Sequence, residues 1–108
     1  MISYKLFLSL FEKAKGKDVE EFSSNNYMPL PADKAQWLLR SIWSVANDQT
    51  IKNIAATCGL SVRRLAITLG VSTHTVENWS SGMRTPTDSV LRMFVFAALS
   101  NTMEELFQ

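Results

Sequence analysis

The sequence contains a single cysteine and a single histidine, and this scarcity excludes several kinds of site. Cys58 has no second thiol with which to form an internal disulfide bond, which fits a reducing cytosol. One histidine and one cysteine do not supply the ligand set of a structural metal site. Because Cys58 lies among apolar neighbours beside Gly59, we expect it to be a core residue.

Motifs for catalysis are also missing. His74 has no hydroxyl or thiol nucleophile arranged with it, and the carboxylates are scattered rather than paired in an apolar setting. The four glycines are isolated from one another, so the sequence has neither a Walker loop nor a dinucleotide-binding fingerprint. We therefore expect a protein that is not an enzyme and that uses no cofactor.

The apolar residues form no run long enough to span a membrane. The apolar part of the opening stretch, MISYKLFLSLFEK, is short for a signal peptide and is not followed by a small-residue cleavage site. These features predict a cytoplasmic protein without a membrane partner. Apolar residues make up 46% of the 108 residues and charged residues 19%, which is typical of a globular chain and predicts a single domain over residues 1–108.

The sequence also has little net charge, +1 in all, but the charge is unevenly distributed. Residues 48–85 hold four basic and two acidic side chains, a net charge of +2, whereas residues 86–108 hold one basic and three acidic side chains, a net charge of −2. The positive excess lies on the part of the chain that also carries the clearest helical pattern.

That pattern is the segment GLSVRRLAITLGVSTHTVENWSSGMR. Ser61 and Ser72 are suitable helix N-caps, and Gly70 and Gly82 favour the positive φ that ends a helix. The spacing predicts two short helices, over residues 62–69 and 73–81. Ala66 is small enough for the two helices to cross close to it. The residues predicted to form their shared core are Leu65, Leu69, Val71, Val76 and Trp79.

This core leaves four polar side chains on the outer face of the second helix: Thr73, His74, Glu77 and Asn78. Such a face suits the major groove of DNA, where base edges present hydrogen-bond donors and acceptors. Asn78 is the best candidate for a specific contact, because an amide can pair bidentately with adenine. Glu77 either accepts from cytosine or orients a neighbour, and His74 either donates to a base edge or a phosphate or is simply solvated.

The same segment resembles the helix-turn-helix of phage-repressor-like (lambda-repressor-like, Xre-type) DNA-binding proteins. Val62 departs from the family, which often has glutamine there, and Ser80 stands where glutamate is frequent. The resemblance covers residues 50–99, about half of the chain. The positions that fit the family pattern are Gly59, Leu60, Ser61, Leu65, Ala66, Leu69, Gly70, Val71, Ser72, Thr75, Val76, Trp79 and Gly82, followed by a loop with Arg84 and Pro86.

The resemblance implies an all-α, lambda-repressor-like helix-turn-helix bundle with an appended N-terminal helical segment. Residues 48–99 would form the DNA-binding core, 1–47 the appended helices and 100–108 a C-terminal helical tail. The implied function is sequence-specific regulation of transcription on double-stranded DNA. The side chains expected to contact phosphates are Arg63, Arg64, Ser72, Ser81, Arg84 and Thr85. The alternative is a protein-interaction module that binds its partner through the N-terminal helices, such as an antitoxin whose DNA binding serves autoregulation.

Apolar spacing also predicts helices in the flanking regions. The predicted ranges are 3–14, a short turn at 18–22, 31 or 32 to about 46, and 50–58, with a loop at 23–31. After the second short helix, Thr85 is predicted to cap a helix over 89–99, and Ser100 to cap a last short helix.

The helix over 89–99 carries two apolar stripes, the first formed by Val90, Leu91, Phe94, Val95 and Ala98 and the second by Met93, Phe96 and Ala97. A surface helix buries one stripe, so the second requires a second cover. Either the C-terminal tail or a second subunit could supply that cover. A homodimer would also place two copies of the polar helix on an inverted repeat. The expected dimerisation residues are Met93, Phe96, Leu106 and Phe107.

Overall fold

The computed structural model describes all 108 residues and contains seven helices and no strand, which confirms the all-α prediction. No helix has both the length and the apolar character needed to cross a bilayer. The helices are α1 (Tyr4–Ala14), α2 (Val19–Asn25), α3 (Ala32–Asn47), α4 (Ile51–Thr57), α5 (Val62–Leu69), α6 (Thr73–Ser81) and α7 (Asp88–Leu106).

Helix α3 packs against α1, α2, α4 and α7. Its buried face is the one that helical spacing predicts, with Leu38, Leu39, Ile42 and Val45 almost fully removed from solvent. These side chains belong to one apolar cluster to which all seven helices contribute. The N-terminal helices therefore share their core with the rest of the chain, while the division at residue 47 stays a prediction.

Short polar side chains fix where most helices begin. Each accepts a hydrogen bond from a backbone N–H group in the first turn, which otherwise has no partner within the helix. Because these caps are visible in the sequence, the predicted bounds of α5 and α6 agree with the structure. The capping residues are Ser3, Asp18, Thr50, Ser61, Ser72 and Thr87.

Helix α2 is longer than the single turn predicted over 18–22 and includes residues assigned to a loop. Polar side chains satisfy the carbonyl groups of its last turn. Asn26 Nδ2 donates to the Phe22 carbonyl at 2.8 Å, and Gln36 Nε2 of α3 donates to the Ser23 carbonyl at 3.2 Å. The polar composition that suggested a loop therefore stabilises a helix end.

Two predictions about α7 are wrong. Its N-cap is Thr87 rather than Thr85, and the helix continues through Ser100 to Leu106 without a separate C-terminal helix. The hydroxyl of Ser100 donates to the Phe96 carbonyl at 2.7 Å, and that of Thr102 donates to the Ala98 carbonyl at 2.9 Å. Hydroxyl groups satisfied in this way are compatible with a helix interior. Residues 100–106 therefore cannot fold back over residues 89–99.

Helix α1 covers the second apolar stripe only at Phe96, while Met93 and Ala97 stay exposed. The ring of Phe96 lies 5.0 Å from the ring of Tyr4 and 5.2 Å from that of Phe7, with edge-on geometry in both cases. Among the other predicted dimerisation residues, Phe107 packs against Trp37 of α3, with ring centroids 6.2 Å apart. Met93 and Leu106 remain 60% and 59% exposed, respectively.

Two asparagine side chains join the end of α3 to its neighbours. Asn47 Nδ2 donates to the Ala14 carbonyl at 2.9 Å, and its Oδ1 accepts from the Gly16 N–H at 2.8 Å, which attaches the end of α1. Asn53 of α4 donates to the Asp48 carbonyl at 2.8 Å. The corners on both sides of α3 are thus held by side-chain hydrogen bonds.

Candidate nucleic-acid interface

Helices α5 and α6 are joined by a three-residue turn, residues 70–72. Gly70 adopts a left-handed conformation, with φ 69° and ψ 24°, and its N–H donates to the carbonyls of Ala66 and Ile67. The Val71 N–H also donates to the Ala66 carbonyl, at 3.0 Å. The turn therefore satisfies the last carbonyl groups of α5. It changes the direction of the chain at Gly70, where the positive φ would strain any residue with a side chain.

The inner sides of α5 and α6 meet in the apolar core. Ala66 has no exposed surface, and the ring of Trp79 lies 5.5 Å from that of Phe94 on α7. This packing fixes the rotation of α6 about its own axis and so determines which of its side chains face solvent. The predicted shared core is present and comprises Leu65, Leu69, Val71, Val76 and Trp79.

The four side chains predicted to contact bases lie on the surface of α6. His74 and Glu77 are exposed, and Thr73 and Asn78 are half-buried. The side chains of Thr73, His74 and Asn78 form no hydrogen bond with the rest of the chain, although the Asn78 carbonyl accepts from Ser81 Oγ at 3.2 Å. Their donors and acceptors are therefore free to bind another molecule.

Glu77 lies near Arg63 of α5, with 3.8 Å between Oε1 and Nη1. The two side chains are 49% and 70% exposed, so this ion pair contributes little to stability. Its effect is on position, because it brings a candidate base-contacting carboxylate next to a candidate phosphate-contacting guanidinium.

The segment after α6 is held against the end of that helix. The Arg84 N–H donates to the Asn78 carbonyl at 3.2 Å, and the Met83 N–H donates to Ser81 Oγ at 3.4 Å. Ser81, Arg84 and Thr85 line a cavity of about 330 Å³ that also reaches Thr50 at the start of α4. Three of the predicted phosphate-contacting residues are thus brought together at one end of α6.

The remaining predicted phosphate-contacting residues lie elsewhere. Ser72 is exposed at the start of α6, where its hydroxyl accepts from the Thr75 N–H at 3.4 Å. Arg64 is exposed on α5 but lines a cavity beside the C-terminal turns of α7. Although Arg63 and Arg64 are adjacent in sequence, Arg63 lies beside α6 and Arg64 lies beside α7.

Met83 is a surface residue that sequence reasoning did not single out. It is 76% exposed and lies between Gly82 and Arg84, next to the candidate interface. A methionine in a turn that is otherwise glycine and polar residues is a weak signal by itself, because single exposed apolar side chains are common.

Cys58 is buried, as predicted. Burial raises the pKa of its thiol above the ordinary value of cysteine, and a hydrogen bond with Thr102 lowers that pKa by a smaller amount. No three histidine, cysteine, aspartate or glutamate side chains lie close enough together to hold a metal ion.

No protein-family model, curated protein or solved structure matches this chain. The residues and the geometry of α5, α6 and their surroundings are therefore the basis on which a function can be assigned to the chain.

Proposed function

We propose that this chain is a sequence-specific regulator of transcription that binds double-stranded DNA through a phage-repressor-like helix-turn-helix formed by α5 and α6. The observation that carries the proposal is the outer face of α6, where polar side chains have no intramolecular hydrogen bonds while the opposite side of the helix is fixed in the core. A helix of this kind fits the major groove, where base edges offer complementary donors and acceptors.

Within this proposal, Asn78 pairs with adenine, and Thr73 and His74 contact neighbouring base edges. The proximity of Glu77 to Arg63 supports the second of the two roles considered for Glu77, that of orienting a neighbouring side chain. Glu77 would then hold the Arg63 guanidinium beside the groove, ready to bind a phosphate.

The proposed phosphate contacts are Arg63 and Ser72 at one side of α6 and Ser81, Arg84 and Thr85 at its end. Arg64 is left out of this set because it lies toward α7. The net charge of +2 over residues 48–85 supports only a few phosphate contacts per subunit. We therefore include a homodimer on an inverted repeat, with half-sites ~34 Å or ~10 base pairs apart.

The decisive experiment is a selection of bound sequences from random double-stranded DNA. We expect an enriched motif with two-fold symmetry. Asn78→Ala should weaken binding to that motif by about 1–3 kcal/mol and change binding to random DNA little, because base contacts provide specificity.

Arg84→Ala is the matched variant, since it removes a proposed phosphate contact instead. It should weaken binding to both DNAs to a similar extent and reduce the slope of log affinity against log salt by about 1. The base-contact assignment is wrong if Asn78→Ala selects the same motif with unchanged preference, and the proposed function is wrong if no motif is enriched.

A further inference from the structure

A second cavity, of about 350 Å³, lies between the corner that joins α4 to α5 and the last turns of α7. Its size is at the lower end of the range for small-molecule sites, about 300–1,000 Å³. It is separate from the face of α6 and includes no residue of that helix. The lining residues that matter for its chemistry are Leu60, Arg64, Thr68, Asn101, Glu105 and Leu106.

The walls of this cavity carry one positive and one negative side chain. Arg64 comes from α5 and Glu105 from α7, and neither belongs to an ion pair in the structure. The hydroxyl of Thr68 and the amide of Asn101 also form no hydrogen bond with the rest of the chain. A guanidinium and a hydroxyl group from α5 and a carboxylate and an amide from α7 are therefore available to a ligand.

The same cavity has an apolar component. Leu60 is half-buried, and Leu106 is 59% exposed at the end of α7. A ligand that fits these walls carries a carboxylate for the guanidinium, an ammonium for the carboxylate and a short apolar group for the leucines. The reverse orientation would place like charges together, and the guanidinium can also bind the ligand carboxylate bidentately.

We propose that this cavity binds an α-amino acid with an apolar side chain. The ligand joins α5 to α7, and these two helices both support α6, through the turn at Gly70 and through the ring of Phe94 against Trp79. The regulatory effect rests on the proposed function: occupancy of the cavity stabilises the DNA-binding position of α6 and increases the affinity of the protein for DNA. By thermodynamic linkage, DNA increases affinity for the amino acid by the same factor.

The first test is a titration of the full-length chain with L-leucine, L-methionine and L-phenylalanine, followed by NMR of the backbone amides. We expect saturable shifts that are largest at residues 58–68 and 101–106 with at least one of the three. Leucinamide, which lacks the carboxylate, and N-acetyl-leucine, which lacks the ammonium group, should each bind about tenfold more weakly or worse than the free amino acid. Absence of saturable shifts, or equal binding of the blocked analogues, would overturn the proposal.

Adjacent arginines provide a matched pair of variants. Arg64→Ala and Glu105→Gln should each weaken amino-acid binding by about tenfold or more, because each leaves one ligand charge without a partner. Arg63→Ala, whose side chain lies beside Glu77, should leave amino-acid binding unchanged. All three side chains are exposed, so the variants should fold. A loss with Arg63→Ala as large as that with Arg64→Ala would show that the cavity is not the site.

Measuring DNA affinity with and without a saturating amino acid separates this inference from the proposed function. Tighter binding to the selected motif is expected. If the amino acid binds saturably but DNA binding is unchanged or weaker, the regulatory role of the amino acid is wrong, whereas the assignment of the cavity as its binding site stands. Amino-acid binding by a chain that selects no DNA motif would overturn the proposed function alone.

Discussion

At the scale of single residues, Ala66 is the position most sensitive to size. It is fully buried where α5 meets the turn into α6. Ala66→Leu should destabilise the protein by about 1–3 kcal/mol in chemical denaturation, because added methylene groups in a packed core force neighbours from their preferred rotamers. Ala56→Leu on the exposed side of α4 is the control and should have little effect. Equal stability of both variants would contradict the close packing at Ala66.

Cys58 gives a residue-scale prediction about pH. Burial raises the pKa of its thiol, so the thiolate that reacts with iodoacetamide is suppressed in the folded protein. Alkylation should be much slower in the folded chain than in urea at the same pH. Because the folded pKa lies above the unfolded pKa, the contribution of this group to stability is complete below the unfolded pKa and is lost as pH rises through the folded pKa. Denaturation midpoints of the parent and Cys58→Ala should therefore converge or cross at alkaline pH.

At the scale of helices, the sequence predicts the bounds of those helices that begin and end at recognisable capping residues. Ser61, Gly70, Ser72 and Gly82 specify α5 and α6 through local hydrogen bonding and backbone conformation alone. Ser100 is different, because a serine hydroxyl can either cap a helix or bond to a carbonyl within it, and the choice depends on packing several residues away. The predicted break at that position was wrong for this reason.

The candidate site shows the same contrast. The outer face of α6 follows from its own apolar spacing, so its polar side chains could be named in advance. The presence of Arg64 and Glu105 in one cavity depends on the course of a long α7, which local patterns do not determine. Sequence therefore predicted the surface made by one helix and missed the cavity made by two.

The contact between α1 and α7 gives a prediction at this scale. Phe96→Asp should destabilise the fold by at least about 2 kcal/mol, because it removes an aromatic side chain from Tyr4 and Phe7 and introduces a charge between them. Met93→Asp, on the exposed part of the same stripe, should change the stability of the monomer by less than about 0.5 kcal/mol when both variants are compared at a concentration too low for dimers to form. Similar thermal denaturation curves for the two variants would contradict the packing of Phe96 against α1.

At the scale of the whole molecule, the proposed homodimer must use apolar surface that the fold leaves open. Met93 and Leu106 meet that requirement, whereas Phe96 and Phe107 are engaged within the chain. Light scattering should find a dimer, and Met93→Asp should yield folded monomers with weaker binding to an inverted repeat. Leu106→Asp tests the other exposed position. A strict monomer that protects one unrepeated site in footprinting at nanomolar concentration would rule out this assembly.

The central position of α3 affects how the chain could be divided or reused. Its last turn supports α1 through Asn47 and meets α4 through Asn53, and its apolar side serves both halves of the core. A fragment that began after α3 would leave the apolar sides of α4 and α7 without their cover. Because α5 and α6 pack on α4 and α7, and these two pack on α3, transplanting α5 and α6 to another protein would require host helices in place of all three, so the exchangeable unit is much larger than the two helices that would touch DNA.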